Sequence, residues 1–379
     1  MQKKLLALAI ASVVSGVAFA QSNVIVYGMA DMNYTFAKDN FNSGARNLSA
    51  IQSGGQSGSR IGFKGTEDLG NGLYAAFRAE GGFSSDTGVS TQTGVFGRWS
   101  TITLGSKTLG EIEAGRRDTF HDQLVGGASA NGRTTIAQVS PVYIDQARIG
   151  NFVAYLSPIW NGLQLKAGFS SAGNDTAAQD VAPTLITAAS QNIADNTNNR
   201  VYTVAAHYNN GPLLLGASYE RNQLQDRDTS VAGLNSNYGA GNIWNVAGAY
   251  DFGVVRVDGA YGEYNYAANT MLTTGAETKD KRKQWTIGLA APVGENGKAT
   301  LVYAKAKVDY IAATTRDDTL SMWGVAYFHT LSKRTNLYAA YGNISQDASN
   351  QTASKATLSG LPANSGYQQA YQLGIRHSF

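Results

Sequence analysis

The stretch SRIGFKGTEDLGNGLYAAFRAEGG, residues 59–82, alternates apolar and polar side chains on both sides of a short turn. The apolar set is Ile61, Phe63, Leu73 and Phe77, and the polar set is Arg60, Lys64, Thr66, Tyr74, Arg78 and Glu80. A period of two indicates β-strands, because successive side chains of a strand point to opposite faces. The Gly-rich LGNG at 69–72 is typical of a tight turn. The stretch therefore predicts a β-hairpin with one apolar and one charged face.

The same pattern recurs along the chain and gives about sixteen strand candidates, each near the ~9 to 11 residues that a tilted strand needs to cross a bilayer. Long polar segments alternate with short turns. The long segments are 39–58, 84–95, 118–147, 172–199, 222–240, 264–283, 310–318 and 346–366. The short turns are 69–72, 105–110, 158–162, 209–212, 251–253, 292–297 and 331–334. Eight long loops and seven short turns predict an even-stranded antiparallel barrel with both chain ends on the short-turn side.

Alternation alone fits two architectures. In a soluble β-sandwich the charged face would point outward, whereas in a membrane barrel it would line a water-filled lumen. Loop asymmetry and closure favour the barrel, since only a closed sheet satisfies every backbone group of spanning strands. Charges on the lipid side would cost ~2 to 4 kcal/mol each near the midplane. We therefore expect an all-β, 16-stranded antiparallel transmembrane β-barrel with its charges inside.

The first twenty residues, MQKKLLALAIASVVSGVAFA, have a basic start, an apolar stretch and a small-residue Ala18-Phe19-Ala20 site. This pattern is typical of a secretory signal peptide, which predicts cleavage between Ala20 and Gln21 and a barrel domain over 21–379. A membrane anchor is the weaker alternative, because the apolar run is shorter than the ~20 residues of a spanning helix. No later run approaches 18 apolar residues, which excludes helical membrane spans.

Composition argues against several other functions. Removal of Lys3 and Lys4 with the leader lowers the formal charge from +3 to +1, and the remaining charges are mixed, so a nucleic-acid partner is not expected. Cysteine is absent, and the four histidines, His121, His207, His329 and His377, lack metal-ligand spacing. No nucleophile elbow or phosphate loop is present. We predict no enzyme activity, no metal and no cofactor.

Several segments carry a family resemblance. They are SGSRIGFKGTEDLGNGLYAAFRAEGGF (57–83), VFGRWSTITLGSKTLGEIEAGRR (95–117), YLSPIWNGLQLKAGFS (155–170), HTLSKRTNLYAAYG (329–342) and LGIRHSF (373–379). The combination of S-R-x-G-F-K-G, an S-K-R-T turn and a closing G-x-R-H-x-F resembles the general porins of Gram-negative bacteria, of the neisserial and betaproteobacterial type. The resemblance extends over residues 24–379, apart from the long loops.

The resemblance implies a homotrimer of barrels in the outer membrane, surrounded by lipid and lipopolysaccharide, each a water-filled pore for passive passage of ions and small hydrophilic solutes. It implies that the third long loop, here Asp118 to Gln146, folds inward; from the residues alone, a solvated extracellular loop is the favoured interpretation. It also implies that the outer-membrane assembly machinery recognises the final Phe379. Gly28 and Ala30, small and outward-facing, would let neighbouring barrels pack.

Porins of this type set basic wall residues against the constriction loop, and Arg60, Arg98 and Arg148 are the matching positions here. Alternation independently turns Arg60 inward. We add Lys64 and Arg78 to the basic wall, and we place Glu80, Glu113, Asp118, Asp122 and Asp145 on the acidic side. Fixed charges facing each other across a narrow pore select ions. The nearly balanced count predicts a weak anion preference at most.

Four further expectations concern strand faces and rival functions. Ala154 and Leu156 share a face with Arg148 where the family commonly has polar residues, which predicts a less polar and wider lumen there. Tyr34, Phe36, Tyr338 and Tyr341 near strand ends fit aromatic girdles at the membrane interface. A substrate-specific channel or adhesin, whose long loops grip a ligand, is one alternative function. An outer-membrane hydrolase with Ser and His on its outer face is the other.

Overall fold

The computed structural model describes residues 24–40, 47–92, 94–131, 134–140, 142–143, 148–171, 200–223, 240–267, 279–309, 318–347 and 367–379. The predicted leader and its cleavage site at Ala20 and Gln21 lie outside these residues. All strand pairs in the described part are antiparallel.

The chain forms one sheet with a short helix inside it. The strands are β1 (Ile25–Asn40), β2 (Leu48–Ser53), β3 (Arg60–Gly70), β4 (Leu73–Gly82), β5 (Trp99–Ser106), β6 (Gly110–Asp118), β7 (Arg148–Leu156), β8 (Leu163–Ser170), β9 (Arg200–Asn210), β10 (Leu213–Gln223), β11 (Ala240–Asp251), β12 (Arg256–Ala267), β13 (Lys279–Val293), β14 (Gly297–Asp309), β15 (Asp318–Thr330), β16 (Thr335–Asp347) and β17 (Tyr367–Ser378). The helix, α1, is Phe120–Ala128.

The sheet closes on itself. β1 pairs with β17 along its length, from Met29 opposite Ser378 to Asn40 opposite Tyr367. Its other edge pairs first with β3 and then with β2. Because β2 and β3 follow one another along β1, they occupy a single strand position, and the barrel has sixteen positions. The predicted 16-stranded antiparallel barrel is confirmed.

The connections follow the predicted asymmetry, with short turns at 71–72, 107–109, 157–162, 211–212, 252–255, 294–296 and 331–334. The first of these turns shows why so few residues suffice. Asn71 and Gly72 both have positive φ, 53° and 77°, the conformation that matches the twist of a two-residue hairpin. The prediction that 39–58 is a loop is wrong in part, since β1 continues to Asn40 and β2 lies within that stretch.

Side chains alternate between lipid and lumen as predicted. On β5, Ile102 is 66% exposed on the outside, whereas on β1 Asp31 is fully buried inside. Tyr371, Leu373 and Ile375 of β17 point outward, and Gln372 points inward. Among the described residues no helix has the length and apolar character needed to cross a membrane.

The third long loop enters the lumen. Thr119 caps α1 by accepting a hydrogen bond from the backbone N–H of Asp122 (3.1 Å), which satisfies one of the free donors of the first turn. α1 contacts β9–β12, and the following residues 136–143, where described, pack on the inward faces of β14–β17. Gly324 lets this segment approach closely, since a Cβ there would lie 2.5 Å from Ala137. The inward-folded third loop is therefore confirmed.

Candidate functional site

The predicted basic residues come together on one wall of the lumen. Arg60 begins β3, Arg78 lies in β4, Arg98 precedes β5 and Arg148 begins β7. These strands lie within the consecutive run β3–β7 around the barrel, so residues distant in sequence come onto one wall. Arg60 lies within electrostatic range of the other three arginines and of Glu80.

Glu80 is the carboxylate that orders this wall. Its side chain is 1% exposed and accepts hydrogen bonds from Arg78 (2.7 Å) and Arg98 (2.7 Å). The Tyr27 hydroxyl donates to the same carboxylate (2.8 Å) and accepts from Arg78 Nε (2.9 Å). Charge-assisted bonds of this kind hold long side chains in one geometry. One acid therefore fixes two of the four arginines and offsets one of their two positive charges.

An aromatic side chain continues the wall. The Arg78 guanidinium carbon lies 4.1 Å from the centroid of the Trp99 ring, and that of Arg117 lies 5.3 Å from it. Arg117 also forms an ion pair with Glu113 (2.9 Å) and lies 5.1 Å from the Phe120 ring centroid. Stacking of an arginine guanidinium group on an aromatic ring is favourable and orients the planar group along the ring face. Arg117 thus belongs to the wall, although the sequence prediction omitted it.

The sequence did contain a signal for Arg117. It lies four residues after Glu113, so period-two alternation places both side chains on the same inward face. Arg116 has a different role, because its Nε donates to the backbone carbonyl of Gly97 (2.6 Å).

Asp118 links the wall to the third loop. It forms an ion pair with Arg148 (3.1 Å) and accepts a hydrogen bond from Trp99 Nε1 (3.2 Å). Asp122 follows in the first turn of α1, half-buried and within electrostatic range of Asp118. Lys64 lies on the wall with its Nζ 5.2 Å from the Tyr27 ring centroid. Asp145 lies outside the described residues.

This arrangement differs from the expected one in where the acids lie. The sequence prediction placed the carboxylates across the lumen from the arginines. In the structure Glu80, Glu113 and Asp118 lie beside the arginines on the same and adjacent strands. They therefore reduce the positive charge of the wall itself.

Arg60 differs from its neighbours. It forms no ion pair with any described residue, and its NH2 group contacts the Met29 sulfur at 3.0 Å. Its nearest charges are mostly other arginines. A guanidinium keeps its charge at any working pH, so Arg60 contributes to this wall a positive charge that no ion pair with a described residue offsets.

The position of Arg60 depends on a network behind it. Fully buried Asp31 accepts hydrogen bonds from the backbone N–H groups of Gln56 (2.9 Å) and Ser57 (2.7 Å) and from the Tyr338 hydroxyl (2.6 Å). These bonds tie the segment between β2 and β3 to the lumen wall. That segment leads directly into Arg60.

Two expectations about strand faces need correction. Tyr338 was assigned to an aromatic girdle, but it is buried in the lumen and bonded to Asp31. Gly28 was expected to let a neighbouring barrel approach, but the Phe379 ring of the same chain covers it, and a Cβ there would lie 2.5 Å from that ring.

The lumen beside β7 is less polar, as predicted, but it is not wider. Ala154 is fully buried in an apolar cluster with Phe120, Phe152 and Leu156. Phe120 and Phe152 meet edge to face, with centroids 5.8 Å apart. The start of α1 fills the space that small side chains leave. The pairing of β6 with β7 shifts register between Gly115 and Arg117, and this shift also brings Ile149 into the cluster. The side chains of β7 therefore do not alternate strictly between lumen and lipid from Arg148 onward.

The described residues contain no group of three or more His, Asp or Glu side chains placed to hold a metal ion.

Comparison with known proteins agrees with this geometry. A family model described as Gram-negative porin matches residues 7–349. An outer membrane porin protein of Bordetella pertussis is 30% identical, and outer membrane porin protein 32 of Delftia acidovorans is also 30% identical, each over the whole of both chains. The structure of the anion-selective porin from Comamonas acidovorans matches with a TM-score of 0.72 and 24% identity, over 95% of this chain and 100% of that one. The chain belongs to the Gram-negative porin family, and its barrel lies in the outer membrane.

Proposed function

We propose that this barrel is a general diffusion pore for ions and small hydrophilic solutes, with a weak anion preference set by the arginine wall. The observation that supports this proposal is the balance of positive and negative side chains on that wall. Its cations are Arg60, Lys64, Arg78, Arg98, Arg117 and Arg148, and its acids are Glu80, Glu113, Asp118 and Asp122. A small excess of fixed positive charge attracts anions without excluding cations.

The reversal potential of planar bilayers under a KCl gradient tests this proposal. Wild-type pores should prefer chloride, and Arg60→Gln should reduce that preference, because Arg60 has no ion-pair partner among the described residues. Lys107→Gln, which removes the same charge from an exposed turn between β5 and β6, is the matched control. A cation preference in the wild type would contradict the proposal.

A substrate-specific channel is the second candidate. Liposome swelling with sugars of graded size distinguishes the two. A smooth size cutoff supports a general pore, whereas a sharp preference for one sugar supports a binding site.

We further propose that the protein has no hydrolase activity. Among the residues that the structure describes, His121 Nδ1 contacts Ser218 Oγ at 3.0 Å. These side chains are 1% and 5% exposed inside the barrel, and His121 Nε2 also contacts the Tyr264 hydroxyl at 3.2 Å. The contact joins α1 to the barrel wall. Esterase or lipase turnover by pure protein that disappears in Ser218→Ala would overturn this assignment.

We also propose a homotrimer, for which the outer surface supplies a physical argument. A band of aromatic residues runs around the outside of β8–β17 and β1; its members are Phe169, Tyr202, Tyr219, Trp244, Tyr261, Trp285, Tyr303, Trp323, Tyr341, Tyr371 and Tyr34. Such bands mark the interface between lipid and water. The outward positions of β5 and β6 carry Ser100, Ile102, Leu104, Ile112 and Ala114 instead. A break in the band fits a face covered by protein.

Two matched substitutions test this interface. Ile102→Trp places a bulky ring on the face without aromatics, and Ile287→Trp places the same ring on β13, within the band. We expect Ile102→Trp to weaken the trimer on native gels and Ile287→Trp to leave it intact. Equal migration of both variants with the wild type would argue against this interface.

Three further partners or processing steps belong to the same proposal. Lipid and lipopolysaccharide surround the aromatic band, the outer-membrane assembly machinery recognises Phe379, and residues 1–20 are removed on export. The mass of the purified mature chain checks whether it begins at Gln21.

A further inference from the structure

A second group of cations lies at the short-turn end of the lumen, away from the arginine wall. It surrounds a cavity of about 820 Å³. One side of the cavity is the C-terminal end of α1 with the residues that follow it. The other side is formed by the turns that begin at Phe252 and Leu331 together with nearby strand ends, among them Pro292 of β13 and Gly297 of β14. Short turns face the periplasm in barrels of this kind.

Five cationic side chains line this cavity, which we call the basic vestibule. They are Arg256, Lys298, Lys333, Arg334 and Arg376. None of them forms an ion pair with a described residue. Among the lining residues Asp251 supplies a carboxylate, and that carboxylate accepts a hydrogen bond from Gly253 N–H (2.8 Å). Asp258 lies within electrostatic range of Arg256.

The inner three cations are held in place by contacts with neutral groups, although Asp31, opposite Arg376 in the sheet, lies within electrostatic range of it. Arg256 donates from NH2 to the carbonyls of Gly127 and Ala128, both at 3.0 Å, at the end of α1. Arg376 donates from NH1 to the Ser57 hydroxyl at 3.4 Å. Lys298 Nζ lies 5.1 Å from the Phe328 ring centroid. In both arginines the Nε atom is buried and has no described partner.

Like charges gathered at a partly desolvated surface repel one another, and a bound anion with several negative charges relieves that repulsion. Arginine forks and lysine ammonium groups suit phosphate oxygens in particular. The volume exceeds that of a single phosphate and lies within the usual range for small-molecule sites. We propose that the basic vestibule binds a small polyvalent phosphate anion at the periplasmic end of the pore.

This site is distinct from the constriction, because the two share no residue. Most wall arginines form ion pairs with acids, whereas no vestibule cation forms an ion pair with a described residue. An anion that has passed the constriction would therefore meet a second positively charged region before it leaves the pore. Binding in the vestibule does not depend on ion selectivity at the arginine wall.

Isothermal titration of detergent-solubilised protein with pyrophosphate at low salt tests the inference, since salt screens such interactions. The double variant Lys298→Gln/Arg376→Gln should bind pyrophosphate at least tenfold more weakly than the wild type. Lys305→Gln is the matched control, because it lies on the same strand, β14, on the outer face, and its affinity should change less than twofold. Heat-modifiable gel migration checks folding, and Lys298→Gln alone replaces the double variant if that variant does not fold.

Two outcomes would overturn the inference. Unchanged affinity in the vestibule variant would exclude these side chains as ligands. Loss of binding in Arg60→Gln, with retention in the vestibule variant, would place the anion at the constriction; the pore function would stand, and the vestibule site would not.

Discussion

The charge of Glu80 offers the sharpest test of the arginine wall. Glu80→Gln keeps an oxygen that can accept from Arg78, Arg98 and Tyr27, but it removes the negative charge they share. We expect the pore to become more anion-selective, because two guanidinium groups then lose their neutralising partner. Arg78, with a side chain 36% exposed, would present that charge to passing ions.

The size of the effect follows from Coulomb's law. A unit charge about 6 Å from a passing ion contributes about 1.4 kcal/mol at an effective dielectric constant of about 40, between the values for protein surface and water. A Debye length of about 10 Å at 0.1 M salt lowers this to about 0.8 kcal/mol. Loss of the charge favours an anion and disfavours a cation by that amount, so the permeability ratio should change by about tenfold.

The assay is the reversal potential under a KCl gradient, measured for Glu80→Gln, wild type and Glu67→Gln. Glu67 lies on β3 and is exposed, so its substitution removes one negative charge without touching the wall. Breaking a buried charge cluster costs about 3 to 5 kcal/mol, and gel migration after heating shows whether the barrel tolerates this. A reversal potential equal to that of Glu67→Gln would refute the idea that the Glu80 cluster faces the ion path.

Three further predictions follow from the same structure. Deletion of Phe379 removes two backbone hydrogen bonds to Gly28, both 3.1 Å, and we expect few barrels in cells but normal conductance per pore. Refolding of the variant in detergent identifies the cause: normal refolding would indicate a lost assembly signal, whereas failure to refold would indicate weakened pairing between β1 and β17. Ala154→Arg buries an unpaired charge in the apolar cluster beneath α1, so the free energy of unfolding should fall by about 3 kcal/mol or more, as measured by thermal denaturation. Unchanged stability would contradict this packing. Asp31→Asn weakens charged hydrogen bonds worth about 1.5 to 3 kcal/mol each and should shift both melting temperature and ion selectivity, whereas Asp68→Asn at the exposed end of β3 should shift neither.

Much of the fold could be predicted because water and lipid impose opposite demands on the two faces of each strand. Asp31 and Gln372 inside, and Ile102 and Leu373 outside, follow from alternation alone. The prediction failed where residue type was taken as a guide to position. Tyr338 is aromatic, yet it lies inside, because its hydroxyl has a carboxylate partner there.

The site could be predicted only in part. Motifs identified Arg60, Arg98 and Arg148, and alternation added Arg78. The pairings could not be predicted, because they depend on register between strands; Glu80, for example, lies opposite Trp99 across β4 and β5. Phe120 fills the space beside Ala154 because of where the third long loop packs. That part of the loop lies more than thirty residues away in sequence, and no local pattern encodes its position.

The apolar packing of the third loop explains why selectivity should depend on the wall more than on the loop. Its described residues bury Leu124, Val125, Ile136 and Val142 against the inward faces of β9–β17. Each fully buried aliphatic side chain contributes about 1.5 to 3 kcal/mol, so the loop is held on one side of the lumen by a core like that of a soluble protein. Many inward positions of those strands are occupied by this packing, whereas the side chain of Arg78 on β4 is 36% exposed. We therefore expect the loop to set the width of the passage and the wall to set its ion preference.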